Sequence, residues 1–329
     1  MVEYVEVTSP SSAPPRPAAF TATAELVERL TGNVASVIRG KHDAIRLSLV
    51  AMLSGHHLLL EDVPGVGKTL LAKAIARSVD GSFRRIQGTP DLLPAEMTGV
   101  SVYHRERGDW EFRPGPIFAN VVLVDEINRA TPRSQSALLE AMEEVQVTVD
   151  GETWPLPKPF FVVATQNPVE QVGTFPLVEG QRDRFGLIVE LGHPPRAAER
   201  ELLLGTGGTD SLDAVRPVCT TQDLGAAIAA IRGVFCTPAL ADYVIDVVSA
   251  TRSHRDIVLG ASARASLSLL HAAKAYAAMS GRHFVVPDDV QAVAAAVLSH
   301  RIILAGGTDL HASIALVRRL LETTPVPRG

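Results

Sequence analysis

Apolar and polar positions follow two different rhythms along this chain. Between residues 56 and 192, short apolar runs end abruptly in polar residues: HHLLLED, SFRRIQG, ANVVLVDEIN, PFFVVATQN and DRFGLIVELG. Such runs, bounded by turn formers, read as buried strands. Helical patterns lie between most of them, starting with TLLAKAIARSV. Strands alternating with helices predict a parallel sheet covered on both faces, with ligands held beyond the carboxyl ends of the strands. The five runs therefore predict an α/β domain with a five-stranded parallel sheet over residues 21–194, entered through a helix-like segment near 22–54.

After about Pro194 the rhythm becomes helical throughout. TPALADYVIDVVSATR opens with Thr237 as N-cap and Pro238 at the first helical position. SARASLSLLHAAKAYAAMS stops at Gly281, and PDDVQAVAAAVLSHRIIL opens with a proline and two acids. A small all-helical domain is expected over 195–329. The first stretch, MVEYVEVTSPSSAPPRPAAF, is rich in Ser, Pro and Ala and reads as a disordered tail over residues 1–20.

Composition narrows the picture. The 329 residues are 46% hydrophobic and 20% charged, which suits a globular chain with a sizeable core. A formal net charge of -5 gives no overall basic field for nucleic acid. The two cysteines, Cys219 and Cys236, lack CxxC spacing and read as ordinary thiols in a reducing compartment. The amino terminus lacks the basic start and apolar core of a signal peptide, and no uncharged apolar run is long enough to span a membrane. A cytoplasmic location is expected. The ten histidines show no metal-ligand spacing and are read as structural.

The chemistry starts at EDVPGVGKTLLAKAIARSV. The phosphate-loop pattern GxxxxGK[ST] wraps phosphates in backbone N–H groups while a lysine neutralises them. Pro64, Gly65, Val66, Gly67, Lys68, Thr69 and Leu70 supply that loop and the start of its helix. Lys68 is expected to reach the β- and γ-phosphates and Thr69 to ligate Mg²⁺. Asp62 stands where the pattern has its first glycine; aspartate tolerates turn geometry, so the substitution should be tolerated. A glycine turn capping a helix is the plainer alternative, and a second motif argues against it. NVVLVDEINRA puts Asp125 and Glu126 at the end of a buried strand, where two acids are costly unless they meet cations. Asp125 is expected to hold Mg²⁺ through water, and Glu126 to act as general base on the attacking water. The chain carries no NKxD guanine reader.

These residues resemble an AAA+ ATPase, and within that class the MoxR family of the chelatase-like, helix-2-insert branch. The resemblance runs over about residues 20–325. It is carried by EDVPGVGKT, IQGTPDLLPAEMTGV, FRPGPIFANVVLVDEINRA, VVATQNPVEQVGTFPL, QRDRF and GASARA. It implies a P-loop NTPase core followed by a helical lid, with ATP and Mg²⁺ as ligands. Asn167 matches the residue that orients the attacking water. Arg184 in QRDRF matches the arginine finger offered to a neighbouring subunit, although Arg182 stands where an aliphatic residue is common. Arg264 in GASARA matches the lid arginine that reaches nucleotide, with Ala263 in place of a frequent proline. Gln87 is a candidate for coupling Glu126 to the ligand state; a polar strand end is the alternative.

Two insertions mark the branch: LLPAEMTGVSVYHRERGDWEFRPGPIF and VQVTVDGETWPLPKPFF. In the second, Asp150-Gly151 is a hairpin signal. Neither carries a basic stripe, so nucleic acid is disfavoured, and Tyr103, Trp110 and Trp154 either grip protein or pack the hairpins locally. The resemblance implies an Mg²⁺-dependent ATPase working as a homo-oligomeric ring, a hexamer by preference, that remodels or matures protein complexes. A partner with a von Willebrand factor A (VWA) domain and a role in inserting metal centres are implied in the same way. The alternatives are a nucleic-acid motor or helicase subunit, and a nucleotide-binding scaffold that hydrolyses little.

Overall fold

The computed structural model describes residues 17–168, 173–204, 212–307 and 309–327. Helices α1 (Pro17–Ala35) and α2 (His42–Leu53) lead into β1 (Leu58–Glu61), the phosphate loop and α3 (Lys68–Arg77). Strands β2 (Val79–Asp80) and β3 (Phe83–Gln87), helix α4 (Pro94–Thr98) and the ribbon β4 (Gly99–His104) and β5 (Asp109–Pro114) follow. Next come β6 (Val121–Asp125), α5 (Pro132–Glu144), the hairpin β7 (Gln146–Val149) and β8 (Glu152–Pro155), then β9 (Phe161–Gln166), α6 (Glu179–Arg182) and β10 (Leu187–Val189). The remainder holds α7 (Arg196–Leu203), β11 (Cys219–Thr220), α8 (Thr221–Arg232), α9 (Pro238–Ser253), β12 (Ile257–Leu259), α10 (Ala263–Met279), α11 (Pro287–Leu298), β13 (Ile303–Leu304) and α12 (Leu310–Thr323).

The five predicted runs form one parallel sheet in the order β10-β1-β9-β6-β3. Alternation explains why β1, β6 and β9 carry nearly unbroken apolar runs. Leu58, Leu60, Val121, Leu123, Phe161 and Val163 enter one core, while Leu59, Val122, Val124, Val162 and Ala164 enter a second core on the opposite face. Each fully buried side chain of this size contributes about 1.5–3 kcal/mol. A charge placed anywhere along these strands would therefore face apolar packing, which confines polar chemistry to the strand tips.

The first core continues without a break into the helical domain, where Leu240, Val244, Val248, Leu269, Val293 and Val297 join it. Three expectations change. Helix α1 begins at Pro17, so residues 17–20 of the tail expected over 1–20 are helical; residues 1–16 of it lie outside the described residues. The segment expected to be helical near 22–54 is two helices, broken before His42 where Gly40 takes φ 70°. The lid is mainly helical, but β12 pairs with β13, and β11 pairs with β2 of the α/β domain. Strands of two or three residues offer no period for a sequence reading to detect.

Candidate active site

The turn from β1 into α3 is built for an anion. Gly65 and Gly67 have φ of 84° and 100°, a region that strains any side chain. Gly67 is the N-cap of α3 and offers no side chain to satisfy the first amides of the helix. Those N–H groups and the positive end of the helix dipole are left for a ligand. Lys68 folds back over the loop, its Nζ donating to the carbonyls of Asp62 and of Val63, the latter at 2.9 Å. Burial pushes the Lys68 pKa down, while the carboxylates of Asp62, Asp125 and Glu126 act in the opposite direction.

Asp62 has taken up its own place in the loop. Its Oδ1 accepts from Val63 N at 2.7 Å and its Oδ2 from Gly192 N at 2.6 Å. A glycine there could make neither bond. The residue thus ties the phosphate loop to the segment that leaves β10 toward α7.

Asp125 ends β6 and is almost fully buried. Its Oδ1 accepts from Thr69 Oγ1 and from Thr165 Oγ1, both at 3.1 Å, and its Oδ2 accepts from Arg85 Nε at 2.8 Å. Glu126 follows with φ 56° and ψ 50°, a left-handed conformation that is unfavourable outside glycine. A hydrogen bond fixes Glu126 there, and a glycine makes room for it. Its N–H donates to Thr165 Oγ1 at 3.0 Å, and its carbonyl lies where a Cβ on Gly88 would come within 2.2 Å of it. The kink turns the Glu126 carboxylate away from the strand to meet Gln87 Nε2 at 3.2 Å and Arg129 Nε at 3.3 Å. The proposed coupling of Gln87 to Glu126 thus has a direct hydrogen bond behind it.

These groups converge on a cleft of about 410 Å³ lined by Pro64, Gly65, Gly67, Lys68, Thr69 and Leu70 from the loop and helix, and by Gln87, Asp125, Glu126 and Asn167 from the strand tips. Val66 is not in the lining; it is partly buried and packs toward the first core. Sequence reasoning missed Lys73, Arg85, Thr165, Gln166 and Leu212, which also line the cleft. Arg85 stands two residues before Gln87 on β3 and Lys73 four after Thr69 on α3, so strand and helix periodicity could have found them. No comparable signal marks Leu212. The donor set fits a nucleotide with a hard divalent cation: cationic side chains and free helix amides for phosphates, and the adjacent Thr69 hydroxyl and Asp125 carboxylate for the ion.

Arg184 and Arg264 are not in this cleft. Both pair with Glu143 near the end of α5, Arg264 NH2 at 2.6 Å and Arg184 through NH1. The topology says how far away that is. The carbonyl of Met142 accepts from His57 Nε2 at 3.1 Å, and His57 immediately precedes β1. Strand β10 runs parallel to β1 with Leu187 opposite Leu58, so Arg184, three residues earlier, lies at the amino-terminal edge of the sheet. The phosphate loop begins beyond the carboxyl-terminal edge, about 10 Å farther along a strand of this length. Arg264, expected to reach nucleotide from the lid, thus pairs with Glu143 and does not line the cleft of its own chain. Arg182 is occupied within its own subunit: it is mostly buried and donates to Glu61 Oε2 at 3.1 Å, beside Gln166 at 2.6 Å from the same oxygen.

Comparison with known proteins agrees with this geometry. Residues 57–187 match the ATPase family associated with various cellular activities (AAA), and residues 249–315 match the AAA lid domain. The chain is 40% identical over 321 residues to the chaperone MoxR1 of Mycobacterium tuberculosis, covering 94% of this chain and 84% of that protein. It is 43% identical over 304 residues to the protein YeaC of Bacillus subtilis, covering 92% and 95%, and 31% identical to the protein MoxR of Methylorubrum extorquens, covering 95% and 98%. The crystal structure of a candidate ATPase from Cytophaga hutchinsonii superimposes with a TM-score of 0.85 at 35% identity, covering 94% of this chain and 98% of that one. A phosphate loop, an acidic strand tip and a helical lid in this arrangement, together with these relatives, make the chain a member of the MoxR family of AAA+ ATPases, an enzyme that binds and hydrolyses ATP.

Proposed function

We propose that this ATPase works as a homo-oligomeric ring, a hexamer by preference, whose sites are completed between neighbouring subunits, and that the ring remodels or matures protein complexes. Within the chain's own cleft, Lys68 and the α3 amides hold the β- and γ-phosphates, and Thr69 and Asp125 hold Mg²⁺. The ion supplies charge neutralisation on those phosphates. Glu126 polarises the attacking water as general base, and Asn167 orients it by hydrogen bonding. Arg184 and Arg264 serve the neighbour's nucleotide.

One observation carries the reading: both arginines sit on Glu143 at the sheet edge opposite their own phosphate loop. A guanidinium that stabilises transferring phosphate must contact it, and in this structure both are held on Glu143 instead, which supports a role toward a neighbour. An assembled ring supplies the missing charge. The wider reading includes a VWA-domain partner, a protein client in the cytoplasm and delivery of metal centres. It rests on the likeness to MoxR proteins.

The test is subunit mixing. Lys68→Ala and Arg184→Ala should each be inactive alone, the first because it cannot hold ATP. After exchange, an interface between an Arg184→Ala subunit and a correctly placed Lys68→Ala neighbour contains both an intact phosphate loop and an intact finger. Part of the ATP turnover should return. No recovery, with mixed assembly verified independently, overturns the shared site and makes Arg182 the next residue to test.

A further inference from the structure

Two hairpins outside the nucleotide cleft face each other across a groove. In β4 and β5, Ser101 pairs with Phe112 and Tyr103 with Trp110, while Val102 pairs with Glu111 and His104 with Asp109. Strand alternation puts the aromatic pairs on one face and the charges on the other. In β7 and β8, Val147 pairs with Trp154 and Val149 with Glu152. That face meets the aromatic face of the first hairpin, because Trp154 stacks on Phe112 at 4.5 Å with 14° between the rings. The turn between β7 and β8 is Asp150-Gly151, with φ of 51° and 85°.

The groove between them measures about 610 Å³ and is lined chiefly by Trp110, Phe112, Val149, Asp150, Glu152 and Trp154. Its charge is of one sign. Of the three arginines in the first hairpin, Arg107 is near Asp109 and Glu111, Arg113 is near Glu111, and Arg105, in the turn, does not line the groove. Among the described residues, no Lys or Arg lies within ion-pair distance of Asp150 or Glu152. Trp110 is 69% exposed, although Tyr103 packs beside it at 5.2 Å. An indole left this open has one more ring face to offer than local packing requires.

An exposed indole beside two unpaired carboxylates is a site for an organic cation. The ring quadrupole attracts the charge, the carboxylates neutralise it, and the apolar floor takes the aliphatic stem of a long basic side chain. Phosphate-bearing ligands would meet both carboxylates with nothing to offset them. We propose that this groove captures an arginine- or lysine-bearing segment of the client protein, with its cation against Trp110, Asp150 and Glu152. The proposal rests on the remodelling reading above and specifies the chemistry of the client.

Fluorescein-labelled peptides that differ only in a central pair, Arg-Arg, Gln-Gln or Glu-Glu, test it by anisotropy with the full chain, without nucleotide and at low ionic strength. Arg-Arg should bind roughly tenfold tighter than Gln-Gln, and Glu-Glu weakest. Asp150→Asn with Glu152→Gln should bring Arg-Arg to the level of Gln-Gln; asparagine keeps the left-handed turn. Trp110→Ala, at an exposed position, should weaken Arg-Arg about fivefold. ATP turnover without peptide should be unchanged in all these variants, because none touches the cleft. Equal binding of Arg-Arg and Glu-Glu, an unchanged double variant, or tighter binding of labelled oligothymidine than of Arg-Arg each overturns the proposal. If charge preference fails while turnover persists, the groove assignment falls and the ATPase reading stands. If charge preference holds while peptide never alters turnover, the groove stands and the remodelling reading falls.

Discussion

Replacing Asp62 separates two roles that a phosphate loop can confuse. The side chain accepts two backbone N–H bonds, from Val63 at 2.7 Å and Gly192 at 2.6 Å, while the proposed phosphate contacts belong to Lys68 and the α3 amides. Hydrogen bonds to a charged acceptor contribute about 1.5–3 kcal/mol each. Asp62 is only half-buried, so water takes over part of each bond, and Asp62→Ala should cost about 2 kcal/mol in total. For a chain of this size that lowers the melting temperature by roughly 4 °C. ATP affinity should change by less than about threefold, because the lost carboxylate makes no phosphate contact. Asp62→Gly should lose the same two bonds, with a further loss from the freer unfolded chain. Differential scanning calorimetry and titration with a fluorescent ATP analogue measure the two effects. The reasoning is refuted if Asp62→Ala abolishes nucleotide binding while its melting temperature is unchanged.

Glu126→Gln keeps size and hydrogen bonding but removes the base; it should bind Mg²⁺-ATP, turn over at least about a hundredfold more slowly and stay assembled, and near-normal steady-state hydrolysis would move the base elsewhere. Arg264→Ala should leave the ATP affinity of the isolated subunit within about twofold while lowering turnover of the assembly, and a tenfold loss of affinity in the isolated subunit would return Arg264 to its own nucleotide. Acid should weaken the fold through His57, whose Nε2 donates to Met142 O and whose Nδ1 accepts from Val162 N at 3.1 Å. Burial holds its pKa near 4 against an ordinary 6.5, so the unfolded chain takes the proton first as pH falls. Stability from this residue is therefore full above 6.5 and lost progressively down to about 4, on the order of 3 kcal/mol in all. Melting temperatures across that range should fall less steeply in His57→Asn, and parallel slopes would refute the assignment.

The amino-acid sequence alone determined the sheet and most of the cleft, because those features are local in the chain. HHLLLED, ANVVLVDEIN and PFFVVATQN are apolar since both faces of a parallel sheet are covered, and Asp125, Glu126 and Asn167 follow at the strand ends, where polarity is tolerated. The Gly65, Gly67 and Lys68 spacing likewise depends only on a turn and the helix after it. Tertiary structure decided what depends on residues far apart. The bond from Asp62 to Gly192 spans 130 positions, and nothing near Asp62 signals it. Arg264 meets Glu143 across 121 positions. Their meeting at the amino-terminal edge follows from the strand order β10-β1-β9, which closes the sheet only after the last strand is placed. Arg182 and Arg184 look alike in QRDRF, but the turn into β10 sends one to Glu61 inside the subunit and the other to Glu143. Two side chains two residues apart can face different surroundings once the backbone turns. That direction is a property of the packed chain, which the order of residues in QRDRF does not carry.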